Sequence, residues 1–235
     1  MNVSVTLSAN AGVSLLIGGR RIWIDALHDR PTRPFSTLTP SMLAQLQLHP
    51  AFQSPDLILF THCHPDHFSH ELAAAAAETW PEAQLILPEP ILPRQTLLTG
   101  DETVLDFGNL RLHFFRLPHE QPERYDSPHY GLLLTAGDCT VLVPGDSAVA
   151  APELAAFLQD RRIDLALLNF PWITLPRGRQ FIRNVLRPAH LLAFHLPFAG
   201  DDAFGYRRAA RKAVEQLRDC CDVRLLDAFL QTVTL

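Results

Sequence analysis

The sequence predicts an α/β fold made of packed layers of sheet and helix. Three observations carry that expectation. Short β-rich runs joined by glycine-containing connections fill the first 26 residues, a second series of such runs spans 83–145, and strand-like and helix-like segments alternate beyond residue 150. Strand-rich halves with interspersed helices fit an α/β sandwich of layers. At 235 residues, 47% apolar and 19% charged, the chain can bury a sizeable core without an external staple, and a single domain over 1–235 is expected.

Taken in order, "VSVTLSA", "VSLLIG" and "RIWIDA" read as an antiparallel meander. The segment 28–40, "HDRPTRPFSTLTP", is too rich in proline for a regular element and reads as a long surface loop. "SMLAQLQL" is a short helix and "DLILF" a buried strand. "SHELAAAAAETW" is a helix by propensity, with Ser69 as N-cap and Glu71 in its first turn. "AQLILP", "TVLDF", "LRLHFFRL", "YGLLLTA" and "TVLVPG" form the second strand series. "APELAAFLQD" (helix), "IDLALLNF" (strand), "RQFIRNVL" (helix) and "HLLAFHL" (strand) then alternate. A longer helix over 203–218 and the strands "VRLLD" and "LQTVTL" finish the chain.

Global properties narrow the function. A formal net charge of −5 argues against a nucleic-acid surface, which needs a basic excess. The start, "MNVSVTLSANAG", has neither a basic region nor a long apolar stretch, so no signal peptide is expected. No apolar run is long enough to span a bilayer. Cys63, Cys139, Cys220 and Cys221 lack Cys-x-x-Cys spacing and suit a reducing cytoplasm better than a disulfide framework. The adjacent Cys220 and Cys221 read as structural.

One stretch stands apart. "LFTHCHPDHFSH" delivers His62, His64, Asp66 and His67 directly after an apolar strand. Metal ligation needs neutral imidazoles and ionised carboxylates converging on one point. In an extended segment residues two apart point the same way, so His62 and His64 can grip one ion together. Asp66 and His67 come where the chain turns toward the helix and can serve a neighbouring position. A solvated polar loop is the plain alternative for a single histidine, but four ligand types in this pattern favour metal. Further ligand candidates also follow apolar strands: His119 after "LRLHFFRLP", Asp146 after "TVLVPG", His195 after "HLLAF". Open α/β sheets place their ligands beyond strand ends.

With these residues in view the chain resembles the metallo-β-lactamase superfamily of metal-dependent hydrolases. "THCHPDH" matches its His-x-His-x-Asp-His motif, "LPHE" its later single histidine, "PGDS" its Gly-Asp and "AFHLP" its final histidine. "RIWIDA", with Asp25, is similar to its early strand-then-Asp element, and the match runs from about residue 10 to 197. The resemblance implies a four-layer αββα sandwich with two mixed β-sheets and a dinuclear centre at the edge between them. It implies that His62, His64 and His119 hold one ion, that Asp66, His67 and His195 hold the other, and that Asp146 bridges both. A hydroxide shared by the ions would attack the substrate, with Asp66 as the catalytic carboxylate orienting it. One ion lowers the pKa of bound water from about 15.7 to about 7; the second polarises the substrate. Two divalent ions are expected, zinc first, with manganese or iron as alternatives that a thiolate-free donor set does not separate.

Other residues complete the reading. Asp25 is expected behind the ligands, fixing an imidazole by hydrogen bonding. His129, in "YDSPHYG", begins a strand and reads as substrate-facing or structural rather than as a ligand. His28 and His70 read as solvated, and Cys63 as pointing away from the metals into the core. Arg177 and Arg179, in "LPRGRQFI", precede an expected helix and could bind an anion near the strand ends. Arg30, Arg33 and Phe35 in the proline-rich loop offer cationic and aromatic groups from the opposite rim. The expected function is hydrolysis of a small ester-like bond (phosphodiester, lactone or thioester), an anionic substrate being favoured. The alternatives are an RNA-processing nuclease, which the acidic balance opposes, and an iron-dependent redox or binding member. The expected partner is a small-molecule substrate, with neither membrane nor nucleic acid, in the cytoplasm.

Overall fold

Val3–Leu7 (β1), Val13–Ile17 (β2) and Arg20–Ile24 (β3) form the antiparallel meander that the sequence predicts. The first sheet then grows by parallel addition of Leu57–Leu59 (β4), Gln84–Leu87 (β5) and Gln95–Leu97 (β6). The second sheet repeats the plan. Glu102–Phe107 (β7), Leu110–Arg116 (β8), Tyr130–Ala136 (β9) and Cys139–Val143 (β10) are antiparallel, and Leu165–Asn169 (β11), His190–Phe194 (β12) and Asp222–Leu225 (β13) follow in parallel. Thr232–Thr234 (β14) returns to pair antiparallel with β1. Both sheets have seven strands, in the orders β14-β1-β2-β3-β4-β5-β6 and β13-β12-β11-β10-β9-β8-β7. This computed structural model describes residues 2–120, 127–159 and 161–235.

The period of two along each strand builds the layers. Leu15, Ile24, Leu59 and Ile86 of the first sheet pack against Leu112, Leu132, Val141 and Leu167 of the second, so the sheets meet face to face. The alternate residues Trp23, Ile58, Phe60 and Leu85 turn outward, under Pro40–Leu46 (α1) and His70–Thr79 (α2). On the far side Leu133, Leu142, Leu168 and Leu191 lie under Pro152–Phe157 (α3), Phe170–Thr174 (α4), Pro176–Phe181 (α5) and Tyr206–Glu215 (α6). Strands covered on both faces must be apolar at every position, which is why "LIL" and "LALL" are continuous apolar runs. The result is the expected four-layer αββα sandwich of two mixed sheets. No helix among the described residues is long and apolar enough to cross a membrane.

Local chemistry sets the helix boundaries. Ser69 caps α2 by accepting from Leu72 N at 3.4 Å, with Glu71 in the first turn, as the sequence predicts. The helix expected from residue 179 instead begins at Pro176, and α4, which the sequence reading misses, begins beside Pro171. Proline is well tolerated at helix starts, where its missing N–H is not needed. The expected 203–218 helix starts later, because Asp202 accepts from Tyr206 N and Arg207 N at 2.8 and 3.1 Å. The loop 28–40 is irregular as expected up to Pro40, which opens α1, and it is pinned down: Ser36 Oγ donates to Asp201 at 2.6 Å and accepts from Phe198 N at 2.7 Å.

Candidate metal centre

Every sequence-predicted metal ligand leaves the sandwich at one edge. His62 and His64 follow β4, His119 follows β8, Asp146 follows β10 and His195 follows β12. Main-chain pairing draws these ends together. Residues 118–120 run beside 146–148 through Glu120 N→Asp146 O and Ala148 N→Pro118 O, both 2.8 Å, which sets His119 next to Asp146. Gly145 turns with φ of +59°, and a Cβ there would come within 2.7 Å of His129 Nε2 and 3.1 Å of Thr61. Only glycine lets the chain pass so close and present Asp146 to the centre.

Two groups of donor atoms result. Those of His62, His64 and His119 lie within 4.8 Å of one another, as do those of Asp66, His67, Asp146 and His195. In the second group His67 Nε2 is 3.2 Å from both Asp146 Oδ1 and His195 Nε2, and Asp66 Oδ2 is 3.6 Å from His195 Nε2. Donors held about 2.0–2.2 Å from a tetrahedral ion are spaced about 3.3–3.6 Å apart, so these residues fit a metal. Asp146 Oδ2 also lies 3.9 Å from His119 Nε2, which places this carboxylate between the two groups. In the first group, His62 Nε2 is buried with no hydrogen-bond partner among the described residues. Such an orphaned acceptor costs about 1–3 kcal/mol unless something fills it, and an ion would.

Electrostatics sort the protonation states. Burial, reinforced by His67, holds His62 well below the usual imidazole range, and burial with His119 takes His64 down to about 4. Both are therefore neutral at physiological pH, the form that binds metal. Burial opposes charge on His67 too, but Asp146 and Asp66 outweigh it and raise His67 well above the usual value. Burial likewise works against the Asp146 carboxylate, yet His67 and His195 keep it well below the usual range.

Behind the donors lies a hydrogen-bond relay. Asp25 is 2% exposed; it accepts from Thr61 N at 2.7 Å, from Thr61 Oγ1 at 2.6 Å and from His67 Nδ1 at 3.0 Å. Thr61 Oγ1, having given its proton to Asp25, accepts from His62 Nδ1 at 3.0 Å. One carboxylate thus fixes two imidazoles, His67 directly and His62 through Thr61, keeping a proton on each Nδ1 and leaving Nε2 as the atom that would meet an ion. Although Asp25, His62 and His67 themselves cluster within 4.8 Å, these hydrogen bonds account for their approach. On the other side Asn10 Nδ2 donates to Asp66 O and Asn10 O accepts from His195 N, both at 3.1 Å. His195 has φ of 59° and Asn10 of 50°, so the link joins two residues in the left-handed region. Asn169 occupies the N-cap position of α4, but its amide is turned away to donate to Asp146 Oδ1 at 2.5 Å. Ser127 Oγ lies 3.2 Å from His64 Nε2.

The remaining candidates separate. His129 is buried at the floor, its Nδ1 donating to Leu117 O at 3.2 Å, and burial pushes it down to about 3; it is not among the cleft residues. His28 corrects its expectation. It is fully buried against Ala9 O at 3.1 Å, and burial lowers it to about 4. His70 is exposed at the start of α2. Cys63 packs on the outer core of the first sheet, where burial and Glu89 raise its thiol. Arg177 donates to Glu120 Oε1 at 2.5 Å, and Arg179 donates to Ile173 O and Thr174 O at 2.9 and 2.6 Å, closing the end of α4. A cleft of about 300 Å³ opens beside His119, Asp146 and His195, walled by Phe35, Phe170 and Tyr206. Neither Arg177 nor Arg179 lines it, nor do the exposed Arg30 and Arg33.

Thr61, Asn10, Asn169 and Ser127 escape the sequence reading. For Thr61 and Asn169 a signal exists, since each is a polar residue closing an apolar strand, the same placement that marks Asp146 and His195.

A metal-binding edge on an αββα sandwich defines a class, and sequence comparison gives the family. The family described as "Beta-lactamase superfamily domain" matches residues 20–195, and the chain belongs to it. No curated protein matches. Among solved structures, the chain is similar to Igni18, a metallo hydrolase from the hyperthermophilic archaeon Ignicoccus hospitalis, at 16% identity and TM-score 0.71, covering 100% of this chain and 99% of that one. An isothiocyanate hydrolase from Delia radicum gut bacteria aligns at 16% identity and TM-score 0.68, covering 99% and 98%. CmlA, a diiron β-hydroxylase from Streptomyces venezuelae, aligns at 16% identity and TM-score 0.71, covering 99% of this chain and 54% of that one. At such identities the likeness is one of fold.

Proposed function

We propose that this chain hydrolyses a small ester-like bond with two divalent metal ions, zinc ahead of manganese or iron. The observation that carries the proposal is the pair of convergent donor groups, His62/His64/His119 and Asp66/His67/Asp146/His195, with Asp146 between them and with His119, Asp146 and His195 lining one cleft. Held by these residues, two ions would supply a nucleophile derived from water at neutral pH and an electrophile for the substrate. The protein does the rest. Asp25 and Thr61 hold His67 and His62 in the tautomer that binds metal, Asn169 and the 118–120 segment fix Asp146, and Asn10 ties the Asp66 and His195 segments together. In this reading Asp66, 8% exposed, orients the attacking water and takes its proton. Phe35 packs edge-on against the His195 ring.

The substrate in this reading is a small molecule. The net charge of −5 and the arginine-free cleft wall among the described residues favour it over a nucleic acid. The sequence-based preference for an anionic substrate rested on Arg30 and Arg33 and on Arg177 and Arg179; the last two are engaged elsewhere, and none of the four lines the cleft. The test is elemental analysis of protein purified without chelator, followed by assay against phosphodiesters, lactones and thioesters. About two ions per chain and turnover that disappears on chelation support the proposal. One ion or none under metal-replete conditions removes it, and iron with oxygen-dependent turnover would move the chain toward the oxidative chemistry named for CmlA.

A further inference from the structure

The cleft wall identifies the part of the substrate that does not react, an inference that rests on the hydrolase reading above. Charge comes first. Among the described residues no lysine or arginine lines the cleft, while the Glu120 carboxylate does, anchored by Val149 N at 2.7 Å and by Arg177 at 2.5 Å. An anionic tail would lose its hydration there and meet no counter-charge. Aromatic surface comes second. The Phe35 ring stands edge-on to His195, centroids 4.3 Å apart at 82°, and Phe170 and Tyr206 pair at 4.8 Å. Phe204, 69% exposed, stacks on Tyr206 at 5.6 Å and extends the apolar surface outward. These rings come from separate segments, the 28–39 loop, α4 and α6. The loop is clamped to the Phe198–Asp201 turn by both hydrogen bonds of Ser36, so Phe35 is placed before any ligand arrives. Size comes third. At about 300 Å³ the cleft is at the small end of ligand pockets, about 300–1,000 Å³, room for one ring and a short chain.

We propose that the substrate carries an uncharged aromatic, or similarly flat apolar, group held by Phe35 and the Phe170–Tyr206 pair, with its scissile bond toward Asp146 and His195. Flat rings gain from edge-to-face and offset contacts with such a wall beyond the area they bury. The wall then sets specificity and the metal ligands set reactivity.

The experiment uses zinc-loaded protein and two readouts. Hydrolysis is compared for benzyl butyrate, methyl butyrate and the monobenzyl ester of succinate, whose alcohol leaving groups are similar in acidity and which differ in ring and charge. Binding of benzyl alcohol, which cannot be hydrolysed, is followed by ligand-observed NMR. The wild type should favour benzyl butyrate over both other esters at least tenfold in kcat/KM. Phe35→Ala should raise KM for it about tenfold with metal content held, and Phe35→Leu and Tyr206→Leu should give intermediate losses. Benzyl alcohol should bind the wild type and weaken in step. A preference for the anionic ester, or a KM indifferent to Phe35 and Tyr206, overturns this inference and leaves the hydrolase reading intact. Benzyl alcohol binding that depends on Phe35, with no ester turned over, supports the wall and removes ester hydrolysis instead.

Discussion

Asp25→Asn tests the logic of the centre without changing its shape. Three donors converge on this carboxylate: Thr61 N–H at 2.7 Å, Thr61 O–H at 2.6 Å and His67 Nδ1–H at 3.0 Å. An asparagine can keep its carbonyl on Thr61 N, but its NH2 then faces Thr61 Oγ1 and His67 Nδ1, both of which are donors in the wild type. To relieve the clash the Thr61 hydroxyl must accept from Asn and donate to His62 Nδ1, and His67 Nδ1 must give up its proton. Each imidazole then carries its proton on Nε2, where the metal should bind. One uncharged substitution therefore strikes one ligand of each donor group. Loss of a hydrogen-bond partner behind a metal ligand costs about 10–100-fold in affinity, or about 1.4–2.7 kcal/mol, and both ions should weaken by that much. Competition with a chromophoric chelator reads the affinities, and long-range ¹H–¹⁵N spectra of the imidazoles read the tautomers. Unchanged affinities with His62 and His67 still protonated on Nδ1 would refute the relay. Weakening of only the ion at His67 would break the Thr61 link alone.

Three further outcomes are expected. His119→Ala should lower metal content and abolish turnover, whereas His129→Ala should keep the metal and cost stability of about 1–3 kcal/mol through lost burial, read by denaturant titration; the reverse would exchange their roles. Asn10→Gly tolerates the φ of 50° but deletes the donor to Asp66 O, so it should weaken the ion at Asp66, His67 and His195 while sparing the one at His62, His64 and His119, seen in the cobalt-substituted spectrum. In metal-free protein at pH 7, ¹⁵N spectra should show His67 protonated on both nitrogens and His64, lowered to about 4, neutral. Zinc should strip the extra proton from His67, so affinity at that position rises with pH; a neutral His67 in the metal-free protein contradicts this.

The fold and the clustering of the candidate donors were legible in the sequence for the same reason. An apolar run buried on both faces signals a strand, and a polar residue at its carboxyl end has only the sheet edge to occupy. His62, Asp146 and His195 all carry that signature. What failed depends on partners distant in sequence. Arg177 meets Glu120 across 57 positions, and the pattern "LPRGRQFI" counts its charges without revealing that both are engaged. Asn10 reaches Asp66 across 56 positions from a β1–β2 connection that looks like any polar turn. His28 looked solvated because it opens a proline-rich loop, yet it is buried against Ala9. Histidine beside proline says where the chain bends, not which way the ring faces.

A division of labour follows from this arrangement. On the dinuclear reading, Asp66 and Asp146 set about two negative charges against four positive ones from the ions, so the reacting end of the cleft is electropositive. Its outer wall offers Glu120 and aromatic rings and no cation among the described residues. Attraction at the centre then acts on the polar bond to be cleaved, while the wall selects what is attached to it. The two halves rest on different elements. The ligands hang from strand ends locked into the sheets, whereas Phe35 and Tyr206 sit on the 28–39 loop and on α6, outside either sheet. Such peripheral segments can change without disturbing the strands that fix the metals. On the proposal made above, Phe35, Phe170 and Tyr206 rather than the histidines select the substrate.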